Sequence, residues 1–128
     1  MREAVVIVLM RHGRVLLIRR ARTVPRAGVW SPPTGRIEAG ESAAQAVVRE
    51  AREELGLEVR PIAQAWTSVT DDGRFRLLWW LAESDAGTIT PDPQEVAEWR
   101  WIAPADFDAV QPVFESHRPF FAEVLPGL

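Results

Sequence analysis

Two rhythms of apolar and polar positions run through the 128 residues. Residues 5–10 and 15–18 are short, β-branched-rich apolar runs, and the Arg11, His12, Gly13, Arg14 stretch between them is a turn signal, which predicts a first hairpin with His12 exposed at its tip. Residues 58–70 and 74–82 predict two further strands joined across Asp71, Asp72 and Gly73, with Asp-Gly as the turn. Their alternation is imperfect, as expected of strands covered on both faces. Between the two strand pairs the period changes. Ala44, Val47, Val48, Ala51 and Leu55 recur at the spacing of a helix packed on one side. Ser42 and Gln45 form a capping box and Gly56 is a C-terminal stop, so one helix of about three turns lies between them.

The remaining punctuation completes the order. Pro25, Gly28, Pro32 and Pro33 make 23–33 a loop, and Gly87, Pro91 and Pro93 make 83–95 mostly loop. A short strand follows at 98–102. Pro104, Ala105 and Asp106 mark a helix start, and a last helical stretch at 115–125 has Pro119 in its first turn or at a kink. Strands, helix, strands, helix argue for α+β or a layered α/β/α arrangement with a mixed sheet, built as one domain over 1–128.

The central helix carries its charge at an unfavourable end. Glu50, Glu53 and Glu54 fall on one arc at ~100° per residue, in the last turns, where the helix end is already partly negative and like charges repel. A solvated acidic face is the ordinary explanation of such a run, and Arg49 can pair with Glu53 one turn on. The lead-in argues otherwise. Gly35, Gly40 and Glu41 form a tight loop into the helix, and glycine lets backbone approach a ligand closely. Clustered carboxylates beside such a loop suit Mg²⁺ or Mn²⁺ with substrate phosphates.

From Gly35 to Leu57 the chain reads G-x5-E-x7-R-E-U-x-E-E-x-G-U, where U is aliphatic. That register would arise by chance on the order of once in a million sequences. It resembles the Nudix box, and the resemblance implies an α/β/α sandwich with a central mixed sheet against which the box helix packs. It also implies Glu53 and Glu54 as leading metal ligands, Glu50 as a further ligand or a base, Glu41 in support of the cluster, Arg49 orienting a box glutamate, and the Gly35 carbonyl as a possible ligand. The implied reaction is Mg²⁺-dependent hydrolysis of a diphosphate bond, with Mn²⁺ as a substitute. A nucleoside triphosphate is the first substrate reading; a dinucleoside polyphosphate, ADP-ribose or a nucleotide sugar is the alternative. A non-catalytic nucleotide-sensing module would be expected to lose box carboxylates, and this chain keeps all four. Two departures stand out. Ala51 is smaller than the aliphatic residue usual there, and Thr34 stands where many relatives have a second glycine, in backbone that faces the phosphates.

Outside the box the candidates are fewer. Relatives differ in placing the catalytic base in the box or in a late loop, where Glu95 and Glu98 are the candidates and Glu95 matches better. Arg19 and Arg20 end the second strand, and alternation lets only one of them face phosphates. Trp30, with Trp66 or Trp79, could stack on a base. Adjacent Trp79 and Trp80 must point to opposite faces, while Trp99 and Trp101 share a face of a core strand; most of the six are read as core, with Trp30 the leading exception.

Composition narrows the picture a little further. A net charge of −3 and pI near 5.4 give no basic field for a nucleic-acid duplex. The chain has no cysteine, which excludes disulfides, thiolate zinc sites and a cysteine nucleophile. All fifteen basic residues are arginine, which GC-rich coding explains without invoking a ligand. The opening residues lack a signal-peptide pattern, and their apolar run is far short of the ~20 residues that span a bilayer, so a cytoplasmic protein without membrane association is expected. A homodimer is compatible with the resemblance, and no residue pattern decides it.

Overall fold

Strand β1 (Arg2–Arg11) organises the computed structural model, which describes residues 1–84 and 86–128. It turns back through His12 and Gly13, both left-handed (φ 51° and 75°) as a two-residue hairpin requires, into β2 (Arg14–Arg20). The two strands pair only at Met10↔Val15 and Arg11↔Arg14, then part. Two short strands that the proline-rich stretch did not predict fill the wedge: β3 (Trp30–Ser31) pairs with β2, and β4 (Thr34–Arg36) pairs with Ala4, Val5 and Val6 of β1. Residues 22–28 turn as the loop reading expects, while Pro32 and Pro33 link the two strands and the Ile7 N–H donates to the Pro33 carbonyl (2.8 Å).

Beyond the helix α1 (Ala43–Leu55), β5 (Arg60–Val69) and β6 (Phe75–Glu83) form the second hairpin, and β6 lies parallel to β1 from Arg2↔Phe75 to Met10↔Glu83. β7 (Val96–Ile102) returns to pair with β2, giving one seven-stranded mixed sheet. Glu83 ends β6, so the expected 83–95 loop starts one residue later; Asp85 within it lies outside the described residues.

Alternation along β1 divides the core. Val5, Ile7 and Leu9 face α1, packing with Leu16, Ile18, Ala46, Val47, Ala51 and Leu55. Ala4, Val6 and Val8 face the C-terminal segment with Val15, Leu17, Trp79, Phe107, Phe120 and Phe121. The helix is rolled relative to the predicted stripe: Ala44 and Val48 are only half-buried, and Ala46 and Glu54 are turned inward. The C-terminal layer is helical where expected but is not regular α-helix. It has a 3₁₀ turn at Pro104–Ala109 and then the expected helical stretch, continuous over 115–127 with Pro119 near its start, but of mixed winding: 3₁₀ at Glu115–His117, π at Phe120–Val124 and 3₁₀ at Leu125–Gly127. Aromatic stacking holds it, with ring centroids 4.5 Å apart for Trp79 and Phe120 and 3.8 Å for Phe107 and Phe121.

Trp79 and Trp80 do fall on opposite faces. Trp99 and Trp101 share a face opposite Ile18 and Leu16, but β7 pairs only with β2, and at this sheet edge Trp99 is 41% exposed rather than in the core. Among the described residues no helix is long and apolar enough to cross a membrane.

Candidate active site

The C-terminal end of α1 is built from both directions. At its start Ser42 Oγ accepts from the Gln45 N–H, and the Ser42 N–H donates to Gln45 Oε1. At its end Gly56, left-handed at φ 63°, donates to the Arg52 carbonyl while Leu57 donates to that of Ala51. Two of the last carbonyls find partners far along the chain: the Thr90 N–H donates to Leu55 (2.8 Å) and the Asp92 N–H to Glu54 (2.9 Å). The same segment continues to Glu95, whose carbonyl accepts from the Ala21 N–H just after β2. The helix end, the β2 end and the 90–95 loop are thereby tied together.

Arg49 is saturated. Its Nε and Nη2 grip both oxygens of Glu41 (2.7 and 2.9 Å), Nη1 donates to Glu50 (2.9 Å) and Glu53 (3.1 Å), and Nη2 also donates to the Arg36 carbonyl (2.9 Å). Each of the five guanidinium protons is accounted for, and the Glu41 carboxyl is held below its usual pKa by that grip.

Glu54, one helical turn beyond Glu50, is the opposite case. It is 8% exposed, and its Oε2 is buried with no hydrogen-bond partner among the described residues. Burial, then the charges of Glu50 and Glu95, pushes its carboxyl up to about 8. Glu50 is raised as well, chiefly by burial and against the pull of Arg49. Glu50 lies directly over Gly35, where an added Cβ would stand 2.0 Å from its Cδ, so only glycine fits beneath it. Half-buried Arg20, its Nε donating to the Pro25 carbonyl (2.7 Å), is the cation that partly offsets the charges of Glu54 and Glu95.

These groups line one cleft of about 760 Å³, a size that suits a small-molecule ligand. Glu50, Glu53, Glu54, Asp92 and Glu95 line it, and so do Phe75, Phe114 and His117. The profile of the NUDIX domain matches residues 1–124.

The chain belongs to the Nudix family. NAD-capped RNA hydrolase NudC of Pseudomonas aeruginosa (strain LESB58) is 36% identical over 110 residues, which cover 86% of this chain and 38% of that protein. The chain spans about two fifths of the length of the curated relatives it matches. Among solved structures, a MutT protein from Methanosarcina mazei Go1 shares the fold with a TM-score of 0.85 at 21% identity, covering 98% of this chain and 94% of that one. A MutT Nudix hydrolase from Burkholderia pseudomallei superposes at 0.79 with 28% identity, covering 96% and 97%.

The Nudix box places its glutamates unequally. Glu53 is outward, with its side chain 60% exposed, Glu50 intermediate and Glu54 inward, all on the cleft. Glu41 lies on the far side of Arg49 and lines a separate shallow groove. Of the residues outside the box, Arg20, Thr34 and Glu95 line the cleft. Arg19 points away and pairs with Glu98 at 3.2 Å, as alternation along β2 requires of neighbouring Arg19 and Arg20. Trp30 is not at the cleft. It is 5% exposed in the C-terminal core, with Arg100 at 4.5 Å from its ring, because its strand pairs with β2 and turns the indole inward. Trp66 and Trp79 sit in the same core. Phe114 and His117, more than fifty residues from the box, were not singled out in the sequence; they stand on a short turn with no periodicity to mark it.

Proposed function

We propose that these 128 residues act as one Nudix domain that hydrolyses a diphosphate bond in a nucleoside diphosphate-linked substrate, with a nucleoside triphosphate as the first candidate. Buried Glu54 carries this reading: an ionisable oxygen with no partner, beside two further carboxylates, makes sense at the floor of a cleft that receives a cation. As they stand, the described carboxylates do not converge into a closed cage. The donor set nevertheless fits a hard cation that keeps waters and shares substrate oxygens, and Nudix hydrolases generally use divalent metals. Glu53, Glu54 and Glu50 would hold Mg²⁺, or Mn²⁺ in its place, with the Gly35 carbonyl beside them. Such a cation, when bound, neutralises phosphate charge and makes water more acidic.

The chain's own groups divide the remaining work. Arg20 meets the phosphate charge, and the backbone at Thr34 and Gly35 forms the wall along which the phosphates lie. Glu50 has one oxygen on Arg49 and a raised pKa, which suits the other oxygen to take a proton from water. Glu95, beside Glu54, is the alternative proton acceptor. Arg49 acts through its neighbours, fixing Glu41, Glu50 and Glu53 in place.

The named activity of the Pseudomonas relative supports a second reading, in which the diphosphate joins two nucleosides, as in NAD. A panel of nucleoside triphosphates, NAD, ADP-ribose, nucleotide sugars and dinucleoside polyphosphates, assayed with Mg²⁺ and with Mn²⁺, tests both. Turnover of triphosphates first is the expected result, preference for NAD moves the assignment to the second, and turnover of none returns the domain to a nucleotide-sensing role.

A further inference from the structure

Four buried side-chain polar atoms lack a hydrogen-bond partner among the described residues, and two of them belong to residues that line the cleft. One is Glu54 Oε2. The other is His117 Nδ1, on a ring that is 4% exposed. His117 is fixed edge-on to Trp79 (centroids 4.8 Å apart, 81° between planes), which in turn donates to Ser68 Oγ at 2.9 Å. The half-buried ring of Phe114 lies 5.0 Å from it, and Arg26 brings its guanidinium to 5.9 Å from that same Phe114 ring. Arg26 is itself held at φ 60°, an uncommon conformation for a side chain of its size.

We propose that Phe114 and His117 form the subsite for a nucleobase, Phe114 offering a stacking surface and His117 Nδ1 a hydrogen bond to the polar edge of the base. The proposal rests on the nucleotide reading above and says which residues select among nucleotides. Burial drives the imidazole pKa down to about 4, so the ring is neutral at pH 7 and is no phosphate anchor. A flat heterocycle matches one aromatic face with one buried polar atom. A neutral imidazole nitrogen is either a donor or an acceptor, so it discriminates between bases that present the opposite pattern.

The chain has only two histidines, and His12 is exposed in the β1–β2 turn, so the ring nitrogens of His117 can be followed by ¹⁵N NMR in the intact protein. ATP, GTP, CTP and UTP are titrated without divalent cation, with inorganic triphosphate as the base-free control. At least one nucleotide is expected to shift the His117 Nδ1 resonance and inorganic triphosphate to leave it in place. Equal shifts with both, or none with any nucleotide, overturn the subsite. In turnover assays with Mg²⁺, His117→Phe should raise KM for the preferred nucleotide about tenfold with kcat unchanged, and His117→Asn, which keeps a polar atom near the Nδ1 position, should restore it. A fall in kcat alone, or no rescue by Asn, overturns the proposal. Phe114→Leu leaves the histidine in place and should raise KM similarly, which covers misfolding of the His117→Phe variant. A nucleotide-dependent shift without turnover of any nucleotide retains the subsite and removes the hydrolytic reading; turnover indifferent to the base does the reverse.

Discussion

Two charge clusters grow from the same turns of one helix and are finished in opposite ways. Around Arg49, Glu41, Glu50 and Glu53 share a guanidinium whose donors are all used. Around Glu54, Glu50 and Glu95 add like charge to a buried oxygen without a partner, and Arg20 offsets only part of it. A satisfied network rigidifies its surroundings, whereas an unsatisfied one is a standing penalty that folding alone would not retain. The difference separates the groups that hold the site in shape from those proposed to meet cation and substrate.

The sharpest way to break this contrast is Glu54→Gln, which should lower kcat/KM on the order of a thousandfold while leaving the metal-free fold as stable or more so. Activity within tenfold of the parent would remove Glu54 from the proposed metal set. Glu41→Gln, by comparison, should act mainly through Arg49, with a loss on the order of tenfold to a hundredfold.

Next in size is a pH effect on stability. The folded pKa of Glu54, about 8, lies above the ordinary 4.5, so its stabilising contribution is complete below 4.5 and is lost as pH rises through 8. His117 acts oppositely: its folded pKa of about 4 lies below 6.5, so its contribution is complete above 6.5 and is lost as pH falls toward 4. Between about pH 6.5 and 8 only the Glu54 contribution changes, and urea unfolding in chelator should show stability falling by about 2 kcal/mol. Added Mg²⁺ should reverse the fall and Glu54→Gln should abolish it; a flat profile for the parent protein would show that the carboxyl is not raised.

The smallest expected effect is that of Arg49→Lys. Charge is kept but the planar fork is lost, so activity should fall about tenfold and stability by about 1 to 2 kcal/mol. Unchanged values for both would mean that the glutamates hold their positions without it.

Local signals and distant pairings account for what the sequence revealed and what it hid. The capping box, Gly56 and the Arg49–Glu53 pair were legible because both partners lie within one or two helical turns. The roll of the helix was not, since Ala44 and Val48 fit an apolar stripe as well as Ala46 does and only the sheet decides between them. Alternation showed that Arg19 and Arg20 part company without showing which faces the cleft. Trp30 misled because the two-residue strand that buries it exists only through pairing with β2. Phe114 and His117 joined the cleft through the aromatic stacking of a segment of mixed winding, for which no periodic signal exists.

The segment from Thr90 to Glu95 has a kinetic consequence. Thr90 and Asp92 are fastened to the end of α1, and Glu95 to the residue after β2. A carboxylate on such a segment is no part of a swinging lid, because displacing it would uncap the helix. Its ordering is completed once, when the chain folds, and need not be repeated in each catalytic cycle.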